Sequence, residues 1–284
     1  MINPKEALEK LFNPNGVPKL HEDKLRYIDL HIIDGCNLNC ARCFKFSPLC
    51  KDKGLMDKNK VIDDLTQLSK VVNQELDGIS IIGGEPLISP DIVFYMKECR
   101  RLFPNTDITI ISNGLAIPKM NDAFFEALQQ CDVMIAISKY YNDKFYEPII
   151  EMLEKHNCAN RFVFSCLHQM GCAMFLQMEL DESGSQDPEA IWNKCSAKNG
   201  CVLLKDGKLW SCSNHCMKYI LNDYFGTNLH DYDEDGIDIY SHTHQEIVEF
   251  LKQPKKGCRY CTEDIYNCMY FPEHTKYKKS EWIK

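Results

Sequence analysis

No stretch of this sequence approaches the roughly 18 consecutive apolar residues of a membrane-spanning helix, so a membrane partner is not expected. No run of lysines and arginines marks a nucleic-acid face, and with a formal net charge of -8 a nucleic-acid partner is not expected either. The opening Met-Ile-Asn-Pro-Lys-Glu-Ala-Leu-Glu-Lys lacks the apolar core of a secretory signal, which predicts a cytoplasmic protein. There is no internal repeat and no low-complexity tract. What the chain does have is cysteine, sixteen of them in 284 residues. Thiols stay reduced in the cytosol, so clustered cysteines there point to metal binding or redox chemistry rather than disulfides. Hydrophobic residues make up 44% of the chain, enough for a substantial core.

The periodicity is that of an α/β protein. Tyr27–Ile33 reads as a strand. Lys58–Gln74 has apolar residues at helical spacing, and Gly78–Ile82 is a short β-branched run. Pro90–Leu102, Asn121–Gln130 and Lys144–His156 read as helices, with Asn121 as an N-cap; Asp107–Ser112, Val133–Ser138 and Arg161–Leu167 read as strands. Strand-then-helix recurring five times predicts a parallel sheet with helices outside it, a partial (β/α)6 TIM-like barrel or a related wound sheet. Chemistry then belongs at the C-terminal ends of the strands. The rhythm stops near Met178, and a Ser-, Gly- and Asp-rich stretch leads into a Cys-rich segment with a hairpin signal at Asp206–Gly207. The expected organisation is a polar arm at 1–25, a core at 26–180, a small Cys-rich domain at 190–270 and a solvated Lys-rich tail at 271–284.

Four cysteines fall at positions 36–50, five are scattered between 99 and 172, and seven crowd between 195 and 268. The scattered five read as small buried hydrophobes. The first group contains Cys36-Asn-Leu-Asn-Cys40-Ala-Arg-Cys43, directly after a strand. A four-iron, four-sulfur cubane has four irons, each able to take one thiolate. Three cysteines on one loop leave the fourth iron open to a small molecule. Zinc is the competing reading, with Cys50 as a fourth ligand.

With Gly83-Gly84-Glu85-Pro86 after the second strand, Ser112-Asn113-Gly114 after the third and Ile137-Ser138-Lys139 after the fourth, residues 27–175 resemble the radical S-adenosylmethionine (SAM) superfamily. The resemblance implies that Cys36, Cys40 and Cys43 hold a [4Fe-4S] cluster whose open iron binds SAM. Reductive cleavage of SAM then yields a 5'-deoxyadenosyl radical. It implies SAM contacts from Gly83, Gly84, Glu85, Pro86, Ser112, Asn113 and Ser138, and an external one-electron donor such as flavodoxin or ferredoxin. Most members carry an aromatic residue just before the third cysteine; here that residue is Arg42, so an adenine contact does not transfer to it.

The second group resembles the auxiliary-cluster "twitch" and SPASM domains of that superfamily. Cys195 is followed by Gly207, then Cys212, then the pair Cys258 and Cys261. The resemblance implies one auxiliary [4Fe-4S] cluster on these four, with Cys201, Cys216 and Cys268 left over for a possible second. The same four could hold zinc. His215, His242 and His244 read as surface or capping residues.

The layout is similar to short dehydrogenases of aminoglycoside biosynthesis. It implies an oxidoreductase or epimerase acting on a small, carbohydrate-like substrate. Arg161, His168, Gln169 and Glu179 are expected near the mouth, and Cys166 or Cys172 could return a hydrogen atom to a substrate radical. Two alternatives stay open: a maturase of a ribosomal peptide or protein, for which residues 1–25 are short as a leader-gripping domain, and a zinc-stabilised binding protein without catalysis.

Overall fold

The computed structural model describes residues 23–165, 174–195, 198, 202–269 and 276–284, with backbone only at 165, 174–178 and 263–269. The expected strands and helices form in the expected order. β1 (Tyr27–His31), β2 (Gly78–Ile82), β3 (Asp107–Ser112), β4 (Val133–Ser138) and β5 (Phe162–Ser165) alternate with α1 (Lys58–Val71), α2 (Ile92–Leu102), α3 (Asp122–Gln130) and α4 (Asp143–Lys155). Each of β1 to β4 pairs in parallel with its successor. Polar caps start three of the helices: Asp57 accepts from the Asn59 and Lys60 amides, Asn121 from Phe124, and Asn142 from Phe145.

Period-two alternation gives each strand two faces. Ile28, Leu30, Ile79, Ile81, Ile108, Ile110, Ile135 and Ile137 face the helices and form the main core with Leu65, Leu68, Tyr95, Met96, Phe124, Leu128 and Leu153. Cys99, Cys131 and Cys158 are buried in that core, as small hydrophobes should be. The intervening positions carry different chemistry. Asp29, Ser80, Thr109 and Met134 sit side by side in register on the other face.

The sixth parallel strand does not come from the next segment of chain. β6 (Met174–Leu180) instead pairs antiparallel with β10 (Cys261–Met269) in a separate two-stranded sheet. The sixth strand is β7 (Leu203–Lys205), which lies parallel to β1. The hairpin at Asp206–Gly207 forms, with both residues at positive φ, and leads into β8 (Lys208–Trp210) and then β9 (Gly236–Asp238) on the sheet edge. The Cys-rich segment thus extends the same eight-stranded sheet, in the order β5-β4-β3-β2-β1-β7-β8-β9. It also contributes α5 (Pro188–Lys194), α6 (Ser213–Phe225) and α7 (His244–Leu251).

The tail corrects the reading of a solvated end. Its lysines are exposed, but Trp282 and Ile283 are buried in a second core with Phe46, Leu49, Ile191, Met217, Leu221 and Leu229. The Trp282 indole donates to the Cys43 carbonyl at 2.9 Å. An apolar pair at the end of a charged segment was the signal for this anchoring. Among the described residues, no helix is long and apolar enough to cross a membrane.

Candidate iron–sulfur sites

The two ends of the loop after β1 pair with each other, on either side of the cysteines. The Asp34 and Gly35 amides donate to the Gly54 and Lys53 carbonyls at 3.0 and 2.9 Å. The loop after β2 then locks onto it: Gly84 donates to the Ile33 carbonyl at 2.9 Å and Glu85 to the Gly35 carbonyl at 3.0 Å. This contact explains the two glycines. A Cβ at Gly83 would lie 2.3 Å from the Ile33 oxygen, and one at Gly84 2.3 Å from the Gly35 oxygen. In this structure their small size lets two backbones touch and so places the cysteine loop.

Glu85 also has a placement the sequence did not disclose. Its carboxylate is 1% exposed and points into the protein. Oε1 accepts from the Leu87 amide at 3.0 Å and the Ser112 hydroxyl at 2.7 Å; Oε2 accepts from the Asn113 amide at 2.7 Å. It therefore ties the loop after β2 to the loop after β3. Asn113 passes the connection on, its Nδ2 donating to Asn37 Oδ1 at 2.7 Å and lying 3.8 Å from Cys36 Sγ. Ser112 Oγ also accepts from the Gly114 amide at 2.9 Å, where φ is +78°.

Burial pushes the Glu85 carboxyl up to about 7, against the pull of its three donors. A folded value above the unfolded one means that the native state binds the proton more tightly. Its contribution to stability is therefore fully present below about 4.5 and is lost as pH rises through about 7. Glu85→Gln should remove that segment of the pH dependence and set an amide N–H against the Asn113 N–H. We expect a net loss of about 2 kcal/mol at pH 8. Urea melts of both proteins from pH 4.5 to 8 measure this; parallel curves would sink it.

The three cysteines fit an iron–sulfur cluster by the chemistry of their surroundings. The Leu38 amide donates to Cys36 Sγ at 3.4 Å, and the Lys45 and Ser47 amides donate to Cys43. Such N–H donors favour thiolate over thiol. Burial pushes the Cys36 thiol up to about 12, with Glu85 adding to it, and raises Cys43 as well. Replacing those protons with iron relieves that cost. Tyr140, absent from the sequence expectations, hydrogen-bonds the Ser138 side chain and lies within electrostatic reach of Cys36, Cys40 and Cys43. Ser138 is thus brought to the same place. Cys50 lies within reach of Cys43 and Asp34.

The second group also comes together. Cys195 caps the end of α5, Cys212 precedes α6, and Cys258 lies within a 3-10 turn that Cys261 ends. Cys195 acts electrostatically on both Cys258 and Cys261, and Cys212 and Cys261 act together on Lys218. The turn is held by the buried Asp235, which accepts from the Lys256 and Gly257 amides at 2.9 and 2.7 Å. Among the described residues, no three His, Cys, Asp or Glu side chains converge tightly enough for a single ion. A cubane puts each thiolate on a different iron and does not require that convergence.

Several expected residues fall elsewhere. Arg161 is at the opposite end of the sheet: it precedes β5, its carbonyl accepts from Ile135, and its guanidinium pairs with Asp132 just before β4. Its place before the strand, not after it, was the sequence signal. Glu179 lies on β6, outside the parallel sheet. Cys166, Cys172, Cys201, His168 and Gln169 lie outside the described residues, and Cys268 is described by its backbone alone. His215 is no surface residue: it is 3% exposed, with Nε2 3.8 Å from Cys258 Sγ. His244 Nε2 accepts from the Leu25 amide at 3.2 Å.

Comparison with known proteins agrees with this geometry. Residues 26–154 match the family model described as a 4Fe-4S single cluster domain. A GTP 3',8-cyclase of Alkaliphilus oremlandii is 31% identical over 132 residues, 45% of this chain and 39% of that protein. The human molybdenum cofactor biosynthesis protein 1 is 29% identical over 96 residues, 33% of this chain and 15% of that one. The chain thus spans well under half the length of these curated relatives. Among solved structures, BtrN in complex with AdoMet and 2-DOIA superposes with a TM-score of 0.51 at 17% identity, covering 86% of this chain and 98% of BtrN. That likeness extends the shared fold beyond the matched core into the Cys-rich segment. The iron–sulfur family match and the cyclase similarity thus cover the segment that carries Cys36, Cys40 and Cys43, and the likeness to BtrN shows a shared fold.

Proposed function

We propose that this protein is a radical SAM enzyme. In this reading Cys36, Cys40 and Cys43 hold a [4Fe-4S] cluster that binds SAM, and Cys195, Cys212, Cys258 and Cys261 hold an auxiliary one. The observation that carries the reading is the backbone lock between Gly84–Glu85 and the loop after β1, extended by Asn113 to Cys36. It joins three strand ends around one set of thiols, where the fold class puts its chemistry. When bound, a cubane with one iron free of protein ligands supplies the electron that opens SAM to a 5'-deoxyadenosyl radical. The chain's own work is to bind, to aim and to exclude water. Gly83 and Gly84 set the loop, Glu85 and Ser112 brace it, and Ser138 with Tyr140 borders it.

The substrate we favour is a small polar molecule, a sugar or cyclitol, that is dehydrogenated or epimerised. Support comes from the face of the sheet turned away from the helices, where Asp29, Ser80 and Thr109 lie in one row. Burial pushes Asp29 up to about 6 although Lys45 pulls it down. A purine nucleotide is the second reading, favoured by relatives named GTP 3',8-cyclase. The test is anaerobic incubation of iron- and sulfide-loaded protein with SAM, a strong reductant and each candidate substrate. 5'-Deoxyadenosine should accumulate faster with the right substrate. Solvent deuterium in the product marks epimerisation, and loss of two hydrogens marks dehydrogenation. Fully loaded protein that makes no 5'-deoxyadenosine with any sugar, cyclitol or GTP would refute the reading.

A further inference from the structure

Lys218 on α6 is 1% exposed, and its Nζ has no hydrogen-bond partner among the described residues. A buried ammonium without a partner costs several kcal/mol, so natural proteins rarely keep one without a counter-charge. Asp231 and Asp235 act on it through space, but neither hydrogen-bonds it, and both Asp235 oxygens are already committed, one to the Lys256 amide and the other to Gly257. Around Nζ there are also aromatic rings and thiols. The Tyr260 and Tyr232 ring centroids are 5.1 and 5.5 Å away, and Tyr260 adjoins Cys261. Cys212 and Cys261, two members of the four-cysteine group, both act on Lys218.

We infer that the Lys218 ammonium is the counter-charge of the anionic group held by Cys195, Cys212, Cys258 and Cys261, and that it makes this group easier to reduce. The inference rests on the auxiliary-cluster reading above. A [4Fe-4S] cluster with four thiolates is a dianion that becomes a trianion on taking up one electron. A fixed positive charge stabilises the trianion more, in a site too dry to screen it. The structure assigns Lys218 a positioning role for charge, with no contact to substrate required of it.

The experiment is a reductive titration of the full chain, reconstituted anaerobically, followed by electron paramagnetic resonance. Cys40→Ala removes the first cluster, so only the auxiliary signal remains. About four irons per chain should then be present. In that background Lys218→Met should lower the reduced-to-oxidised ratio at fixed potential about tenfold, which is about 59 mV for a one-electron couple. Lys218→Arg should stay within about twofold of the parent, because it keeps the charge. Metal-free Lys218→Met should melt no lower than the parent, since it removes an unpaired buried charge. Equal midpoints for Lys and Met at full iron loading overturn the inference alone. A chain that binds no iron in the Cys40→Ala background overturns the auxiliary-cluster reading, and the inference with it.

Discussion

Cys40→Ala should cut the iron bound per chain by about half and reduce 5'-deoxyadenosine formation at least a hundredfold. Cys40 is 6% exposed and is one of the three thiols assigned to the first cluster. With two left, a cubane has two irons without protein ligands and is not retained. The substitution trims one small buried atom, so the apo fold should change by about 1 kcal/mol or less. Iron and sulfide assays, a urea melt and mass-spectrometric quantification of 5'-deoxyadenosine measure all three. Wild-type iron content with undiminished product would show that these cysteines are not the cluster ligands. Cys261→Ala should show the complementary pattern, with the auxiliary iron lost and the first cluster kept.

Gly84→Ala should reach a similar end by a different route. The added Cβ would lie 2.3 Å from the Gly35 oxygen, 2.5 Å from the Asp34 oxygen and 2.5 Å from the Gly35 carbonyl carbon. All of these are backbone, so no side chain can swing aside. The two loops must separate, which breaks the Gly84–Ile33 and Glu85–Gly35 hydrogen bonds. The expected cost is about 3 kcal/mol, with loss of the first cluster and retention of the auxiliary one. Gly226→Ala is the contrast. Gly226 ends α6 at positive φ, yet a Cβ there meets nothing within 4 Å. Its cost should be about 1 kcal/mol, from backbone conformation alone, with both clusters loaded. Equal losses in the two variants would mean that the loop contact is not what the glycines serve.

Much of the site is legible without coordinates because its signals are local. The CxxxCxxC spacing, the Asn121 cap, the alternation in Asp107–Ser112 and the positive-φ turn at Asp206–Gly207 each depend on a few neighbouring residues. The order of motifs along a βα repeat then places them at one end of a sheet, because parallel strands all point the same way. Arg161 shows how narrow that logic is. One position before a strand, not after it, moved it to the other end of the molecule.

The sequence by itself determined the α/β class, the strand and helix order through residue 165, and the residues at the ends of the first four strands. Tertiary structure alone decided who meets whom across long separations. It brought β7 beside β1, sent Trp282 to the Cys43 carbonyl, turned Glu85 inward to Ser112 and Asn113, and left Lys218 buried among tyrosines and cysteines. The physical reason is that periodicity records which face of an element is apolar, whereas a hydrogen bond or an ion pair needs a partner in space. A buried glutamate and a surface glutamate are the same letter until the groups that desolvate them are known.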